Sequence, residues 1–336
     1  MSQDVGASGD EASLRDASRP RTLRTLFRIA IAVALLAIVL WYARPAAVLD
    51  ALRDVDPATF LLALAFAIAS NIASAFRWAA IARAMGLRAP NVPLAGFYAR
   101  GMAANTVLPG AVLGGDVLRG YALHRLGNPL QESALSVLVD RASGLWVLCA
   151  LSLVAVLGMG VAQASSEALA TRIGRGDLVL AAWLLALACA LPPLALRLRR
   201  GASTPGALDA LARRTQRMRC ALSQLRPALP RLLMMSVAVQ LLSAVALWLY
   251  ARAVSADLAL PVALAAAAPI FVMAALPIGY AGFGTRELAA VVVLAVAGVP
   301  ADAAAATGLL YGIGGLLQGV LGAVFFLVPL GAQEAQ

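Results

Sequence analysis

The chain has little of the chemistry on which most enzymes and metal sites depend. Its 336 residues include no lysine, one histidine (His124) and three cysteines, and charged residues make up only 13% of the sequence. The cysteines Cys149, Cys189 and Cys220 are scattered, with neither metal-ligand spacing nor an evident disulfide partner. We also find no nucleophile motif and no glycine-rich nucleotide loop. We therefore expect no metal and no cofactor, and we favour a role other than catalysis.

Apolar residues are abundant instead. They make up 62% of the sequence, and the mean hydropathy is +0.84, whereas a soluble domain is about half apolar. Several apolar runs approach the ~20 residues needed to cross a bilayer. All 27 basic residues are arginine, a bias that we attribute to a GC-rich bacterial genome rather than to phosphate recognition. The sequence predicts an all-α, multi-pass membrane protein that does not bind nucleic acid.

The apolar segments and the arginines between them predict a topology. The segments are about 26–42, 58–81, 93–107, 115–126, 131–158, 178–197, 231–251, 262–276, 285–298 and 302–328. Arginines cluster before the first segment and in 197–231, which places the N-terminus and that loop in the cytoplasm. The third, fourth, eighth and ninth segments are too short to span comfortably. We therefore expect six spanning helices plus two broken re-entrant hairpins, with both termini cytoplasmic in the bacterial inner membrane.

This layout predicts one transmembrane domain with two halves. We expect a disordered cytoplasmic tail over 1–20 and a single domain over 21–330, with halves of opposite orientation at about 21–158 and 178–330. The hairpin tips read "LPGAVLGGDVLRGYAL" from Leu108 and "LPIGYAGFGTRELAAV" from Leu276. Interrupted short segments at matching positions indicate an inverted repeat and a central transport site. The residues expected to break the helices are Pro109, Pro277, Gly279, Gly282 and Gly284.

Each tip has features of an anion site. A helix begins after each break, and helix N-termini carry free N–H donors and partial positive charge. We expect Asp116 and Thr285 to cap these helices, with Arg119 and Arg286 close by. Asp116 and Arg119 are spaced to form an ion pair, whereas the adjacent Arg286 and Glu287 are not. A lipid phosphate is the expected ligand, although charges that only pair to stabilise the fold are the alternative.

Polar side chains recur at helical spacing on four of the spanning segments. The stripes are Ser70, Asn71, Ser74, Arg77 and Trp78; Ser133, Ser136, Asp140 and Gly144, with Arg141 beside them; Ser236, Gln240 and Ser243; and Thr307, Tyr311, Gly315, Gln318 and Gly322. They could line a hydrophilic interior, or they could allow helices to pack closely. Arg77 could also extend to the membrane surface. The intramembrane carboxylates Asp116, Asp140 and Glu287 are candidates for proton transfer or ion pairs.

Five stretches of the sequence resemble a known family. They are Arg77–Trp78, Asn105, the tip from Leu108, "VDRASG" at Val139–Gly144 and the tip from Leu276. They are similar to the flippase-like transmembrane region shared with lysylphosphatidylglycerol synthases, over about residues 20–330. The resemblance implies a role in moving lipid between leaflets. We do not expect synthase activity, because the sequence contains no soluble aminoacyl-transferase domain.

These observations lead to a functional hypothesis. We expect a translocase that moves an anionic or modified lipid, with membrane lipids as its partners. The predicted phosphate-binding residues are Arg77, Asn105, Gly114, Gly115, Asp116, Arg119 and Arg286. The residues expected to transfer protons or form ion pairs are Asp140, Arg141 and Glu287. Two alternatives stay open: a transferase acting on a polyprenyl-phosphate or hopanoid-type lipid, and an accessory subunit of a separately encoded lipid-modifying enzyme.

Overall fold

The computed structural model describes residues 45–107, 112–164, 223–276 and 282–327, most of 179–190, and four helical positions before residue 45. Every regular element within these residues is helical. The α-helices are α1 (Pro45–Arg53), α2 (Pro57–Ala84), α3 (Asn91–Val107), α4 (Val112–His124), α5 (Leu130–Ala164), α6 (Leu229–Ala253), α7 (Leu260–Ala275), α8 (Thr285–Ala295) and α9 (Ala301–Ala323). Short 3-10 turns at Arg226–Ala228 and Val324–Phe326 adjoin α6 and α9.

Four of these helices are long and apolar enough to cross a membrane. They lie at Pro57–Ala84, Leu130–Val161, Arg226–Ala253 and Ala301–Phe326. A shorter apolar helix lies at Val179–Ala190, within the expected span 178–197. The expected first span, 26–42, and the expected tail, 1–20, lie almost entirely outside the described residues. The protein is therefore a membrane protein whose described elements are all helical, and four of its helices have the length and composition to span a bilayer.

Two pairs of short helices lie at the predicted hairpins. Helices α3 and α4 have 17 and 13 residues, and α7 and α8 have 16 and 11. At about 1.5 Å per residue, none reaches the ~30 Å thickness of the hydrocarbon core. The members of each pair pack against each other. The connections at 108–111 and 277–281, which include Pro109, Pro277 and Gly279, lie outside the described residues.

The start of α8 depends on two glycines with left-handed backbone conformations. Gly282 has φ of +76° and Gly284 has φ of +83°, a region that residues with a Cβ rarely adopt. A Cβ at residue 282 would also lie 2.8 Å from the carbonyl oxygen of Ala274. The glycines predicted as breakers therefore turn the chain back onto α7 and direct it into α8.

The long helices α2 and α6 form the central packed pair. Alanine and serine line much of the contact, so the backbones can approach closely. Ser70 Oγ lies 2.7 Å from Ser243 Oγ and donates to the carbonyl oxygen of Val239 at 3.1 Å. Hydrogen bonds of this kind contribute about 0.6 kcal/mol on average between membrane helices. These serines of the predicted polar stripes therefore stabilise helix packing.

The hairpins pack on helices from the other half of the chain. Helix α3 packs on α9, and α7 packs on α5. The contact between α3 and α9 depends on two glycines of α9. A Cβ at Gly322 would collide with the carbonyl oxygen of Ala99, and one at Gly319 would collide with the Thr106 hydroxyl. The glycine-rich face of α9 therefore allows the first hairpin to lie directly against it.

Candidate functional site

Five charged side chains from three helices form a continuous ion-pair network. Asp140 on α5 accepts from Arg77 Nε of α2 at 3.0 Å and from an Nη of Arg119 on α4 at 2.9 Å. Asp116 on α4 pairs with Arg119 at 3.2 Å and with Arg141 of α5 at 2.8 Å. Three guanidinium groups thus alternate with two carboxylates, which leaves one positive charge in excess.

Most of this network is buried. Arg77, Arg119 and Asp140 are 4%, 2% and 1% exposed, whereas the Arg141 side chain is 43% exposed. The Arg119 guanidinium also lies between the rings of Trp78 and Tyr98, 4.4 Å from each centroid. A charge in the hydrocarbon region requires compensation of this kind. The suggestion that Arg77 extends to the membrane surface is therefore wrong, because its partner Asp140 holds it inside the bundle.

Glycines leave room for these guanidinium groups. A Cβ at Gly144 would lie 2.9 Å from an Nη atom of Arg77. One at Gly101 would lie 2.9 Å from Arg119 Cγ. Gly115, on α4, also approaches Gly101 and Asn105 closely enough that any Cβ would collide with both. The close approach of α3, α4 and α5 around the arginines therefore requires these small residues.

A second buried ion pair lies at the start of α8. Arg286 donates to Glu287 Oε1 at 2.8 Å and to the carbonyl oxygen of Gly308 at 3.0 Å. The expectation that these adjacent residues do not pair is wrong. Glu287 turns back towards the helix start, where its Oε2 accepts from the Gly284 N–H at 2.6 Å, and the long arginine side chain reaches the same point. Glu287 is fully buried.

The expected helix caps are also wrong in both hairpins. Helix α4 already includes Val112, so Asp116 lies one turn inside it and bonds to arginines instead. The Gly115 N–H in the first turn of α4 is satisfied by Asn105 Oδ1 of α3, at 2.8 Å. In the second hairpin, Gly284 precedes α8 as its N-cap. Thr285 is the first helical residue, and its hydroxyl donates to the Gly282 carbonyl oxygen at 3.2 Å.

A cavity of about 240 Å³ lies between the two hairpins. Asn105 and Thr106 at the end of α3 line one side, and Phe283 and Arg286 at the start of α8 line another. Helix α2 contributes Asn71, α3 also contributes Met102, and α7 contributes Ala274. The rest of the wall belongs to α9: Tyr311, Gly312, Gly315, Leu316 and Gln318. Residues of both hairpins and of two polar stripes therefore meet at one place.

Some polar groups around this cavity are bonded within the protein. Asn71 Nδ2 donates to Gln318 Oε1 at 2.5 Å, and Gln318 Nε2 donates to the Gly314 carbonyl oxygen at 3.1 Å. Thr106 donates to the carbonyl oxygen of Met102 at 3.0 Å. These bonds hold the side chains of the cavity wall in fixed orientations.

Other donors on the wall have no acceptor within the described part of the protein. They are Asn105 Nδ2, the Tyr311 hydroxyl and one Nη atom of Arg286, the other Nη and Nε being bonded to Glu287 and Gly308. None of the three atoms is fully buried, and each belongs to a residue that lines the cavity. The cavity can therefore donate three hydrogen bonds to the oxygen atoms of a ligand.

Most of the predicted site residues thus fall into two groups. Asp116, Arg119, Asp140 and Arg141 share the ion-pair network with Arg77. Asn105 and Arg286 line the cavity, with Glu287 directly behind Arg286. Gly114 and Gly115 lie within α4. No group of His, Cys, Asp or Glu in the described ranges could hold a metal ion.

Sequence reasoning missed two aromatic residues that contact the arginines. Tyr98 covers one face of Arg119, and the Phe283 centroid lies 4.8 Å from Arg286 Cζ. It also missed Gly312, where a Cβ would collide with the Arg286 guanidinium. Phe283 lies inside the second tip motif, three residues before Arg286, so the sequence did carry a signal for this contact. Tyr98 and Gly312 carried no comparable signal, because their contacts come from separate helices.

Comparison with known proteins identifies a family and a relative. The family described as "Lysylphosphatidylglycerol synthase TM region" matches residues 26–322. A protein named "UPF0104 membrane protein", from Methanothermobacter thermautotrophicus (strain Delta H), is 29% identical over 132 residues. That alignment covers 39% of this chain and 39% of the relative. The predicted resemblance is confirmed by the family match.

Proposed function

The chain belongs to the lysylphosphatidylglycerol synthase transmembrane-region family, and from this premise we propose that it translocates a lipid between the leaflets of the bacterial inner membrane. The substrate is a lipid with an anionic or modified headgroup. The donor-lined cavity between the two hairpins carries this proposal. A lipid phosphate presents oxygen acceptors that match the free donors of Asn105, Tyr311 and Arg286.

The size of the cavity fits a headgroup rather than a whole lipid. Its volume of about 240 Å³ is below the ~300–1,000 Å³ of pockets that enclose drug-sized ligands. The acyl chains therefore stay in the bilayer while the headgroup passes through the protein. The residues proposed to contact the phosphate are Arg286, Asn105 and Tyr311.

The ion-pair network has a different role in this proposal. Both carboxylates bind two arginines each, and Arg77 and Arg119 are buried. We assign Arg77, Asp116, Arg119 and Asp140 to holding the first hairpin in place, with Gly114 and Gly115 allowing α4 to approach α3. Arg141 is the exposed end of the network, with 43% of its side chain accessible, and we assign it to contact with a lipid phosphate outside the bundle.

The packing of the hairpins supports the inverted repeat and alternating access. The first arm of each hairpin packs on the last long helix of the other half: α3 on α9 and α7 on α5. Related helices also match in length, with 17 and 16 residues in the first arms and 13 and 11 in the second arms. In such transporters one repeat moves against the other around a central site. Both termini are assigned to the cytoplasm from the arginine distribution.

The proposal is tested by reconstitution into liposomes with acyl-labelled phospholipids, followed by measurement of leaflet exchange. We expect exchange well above that of protein-free liposomes. Arg286→Gln should slow exchange about ten- to a hundredfold, because a charge-assisted hydrogen bond contributes about 1.5–3 kcal/mol. Arg53→Gln is the matched control, because Arg53 lies on the surface of α1, paired with Asp50. Exchange at the protein-free rate for phospholipids of several headgroup classes would contradict the proposal.

Tyr311→Phe provides a second test that leaves the buried ion pair intact. It removes a hydroxyl with no partner among the described residues, so we expect unchanged stability and exchange slowed about three- to tenfold, for the loss of one neutral hydrogen bond. Tyr311→Phe therefore still tests the role of the cavity if the Arg286→Gln variant does not fold. If the Tyr311→Phe variant exchanges lipid at the wild-type rate, this hydroxyl does not belong to the proposed site.

A further inference from the structure

A second cavity, of about 250 Å³, lies between the end of α2 and the start of α6, and we call it the α2–α6 cavity. It shares no residue with the cavity between the hairpins. Its wall contains Arg83 in the last turn of α2 and Arg231 in the first turn of α6, with Ala80, Ala84, Ala228 and Leu232. No acidic residue belongs to this wall within the described part of the chain. Two positive charges therefore share one space that small side chains leave open.

Neither of these arginines is neutralised by a described carboxylate, whereas every arginine of the ion-pair network binds one. Arg83 Nη1 donates to the carbonyl oxygen of Ala89 at 2.9 Å and to Asn91 Oδ1 at 2.6 Å, and both acceptors are neutral. Arg231 forms no hydrogen bond or ion pair with a described residue. The start of α6 adds partial positive charge, because its N-cap Ala228 supplies no side-chain cap. The cavity therefore attracts an anion.

The distribution of charge between the two ends of the bundle gives this cavity a place in the membrane. The helix ends and connections on its side carry Arg83, Arg88, Arg125, Arg226 and Arg231 against Glu132. Those on the opposite side carry Arg53 and Arg252 against Asp50, Asp54, Asp56, Asp257 and Asp302. An excess of arginine is typical of the cytoplasmic side. On this orientation the α2–α6 cavity lies at the level of the cytoplasmic headgroups.

We infer that the α2–α6 cavity binds the phosphate of an anionic phospholipid, which stays in the cytoplasmic leaflet and joins the ends of the central helix pair. Basic pockets between membrane helices on the cytoplasmic side bind such headgroups. Arg83 and Arg231 supply the positive charge from two different helices. Ala80 lies one turn further into the membrane than Ala84, so the wall changes from charged to apolar with depth, as a phospholipid does. The inference does not depend on the proposed function, because this lipid is not transported.

The test measures ligand binding to the full-length protein in an uncharged detergent by native mass spectrometry. Phosphatidylglycerol, phosphatidylcholine and inorganic phosphate are titrated separately into the wild-type protein and into a variant with both Arg83→Gln and Arg231→Gln. The double variant should bind phosphatidylglycerol at least about tenfold more weakly, because it loses charge-assisted hydrogen bonds to the phosphate. Its binding of phosphatidylcholine should be unchanged. A loss confined to inorganic phosphate would show that the site takes a free anion, and would overturn the assignment to a lipid.

A matched double variant separates the cavity from general surface charge. Arg88→Gln with Arg226→Gln removes the same charge from the same end of the bundle but outside the cavity, and should weaken phosphatidylglycerol binding less than about threefold. Equal losses in the two double variants would overturn the inference.

Arg231→Gln alone excludes a structural role of the bonds that Arg83 makes. Because Arg231 is bonded to no described residue, this variant should unfold at the wild-type temperature without lipid. It should lose most of the rise in unfolding temperature that phosphatidylglycerol gives the wild-type protein. An undiminished rise would contradict a role of Arg231 in binding the lipid.

Discussion

Replacing Asp140 by asparagine tests whether the ion-pair network stabilises the fold. Both carboxylate oxygens of Asp140 accept from arginines, at 3.0 Å from Arg77 and 2.9 Å from Arg119. Asparagine has nearly the same shape, but its amide nitrogen can only donate. One of the two guanidinium groups would then face a donor, and the network would carry two excess positive charges instead of one.

The expected loss of stability is large for a substitution of one atom. Removal of one partner from a buried ion pair typically costs about 3–5 kcal/mol, and these partners are 4% exposed or less. The matched control is Asp50→Asn, which breaks the pair with Arg53 at 3.2 Å. The two side chains of that pair are 65% and 76% exposed. Exposed pairs contribute about 0.2–1 kcal/mol, so the two substitutions should differ severalfold in effect.

The measurement is the free energy of unfolding in mixed micelles, followed by tryptophan fluorescence as denaturing detergent is added. Arg77→Met in the Asp140→Asn background removes one uncompensated charge, so the double variant should be no less stable than Asp140→Asn alone. If Asp140→Asn shifts unfolding no more than Asp50→Asn does, the buried network is not a stabilising element. Additive losses in the double variant would show that Arg77 and Asp140 do not depend on each other.

Two further substitutions test packing around the cavity by the same unfolding measurement. A Cβ at Gly312 would collide with the guanidinium of Arg286, whereas one at Gly315 would meet nothing within 4 Å. Gly312→Ala should therefore lower the free energy of unfolding by about 1–3 kcal/mol. Gly315→Ala should leave it unchanged or raise it by up to about 1 kcal/mol, because alanine has the higher helix propensity. Equal effects of the two substitutions would refute the close contact at Gly312. The buried Tyr250 hydroxyl has no hydrogen-bond partner among the described residues. Tyr250→Phe should therefore be neutral or stabilise the protein by up to about 1–3 kcal/mol. A loss of stability above about 1 kcal/mol would indicate that the hydroxyl has a partner in the native protein.

Local features of the fold were predictable because they depend on near neighbours in the chain. Apolar length indicated the four long helices, and the predicted breakers Gly282 and Gly284 marked the start of α8. The pair between Asp116 and Arg119 followed from their spacing on one helix and is confirmed at 3.2 Å. The pair between Glu287 and Arg286 was harder to predict, because it depends on both side chains turning back towards Gly284 and not on residue spacing.

The partners of the buried arginines were not predictable. Arg77 lies 63 residues from Asp140, and nothing in either segment indicates that the two meet. The polar stripes were recognised, but periodicity does not show whether a side chain bonds another helix or faces open space. Ser70 and Ser243 bond each other, whereas Tyr311 lines the cavity and its hydroxyl has no partner among the described residues.

The sequence by itself determined that the chain is a helical membrane protein of this family. Apolar length, arginine placement and the tip motifs are all properties of the linear sequence and do not depend on how the helices pack. Only the tertiary structure decided which polar groups are bonded within the protein and which are free. A guanidinium group is long and can reach acceptors on several helices, so its partner depends on packing. That packing binds Arg119 to two carboxylates and leaves one nitrogen of Arg286, a residue of the cavity wall, without a partner among the described residues.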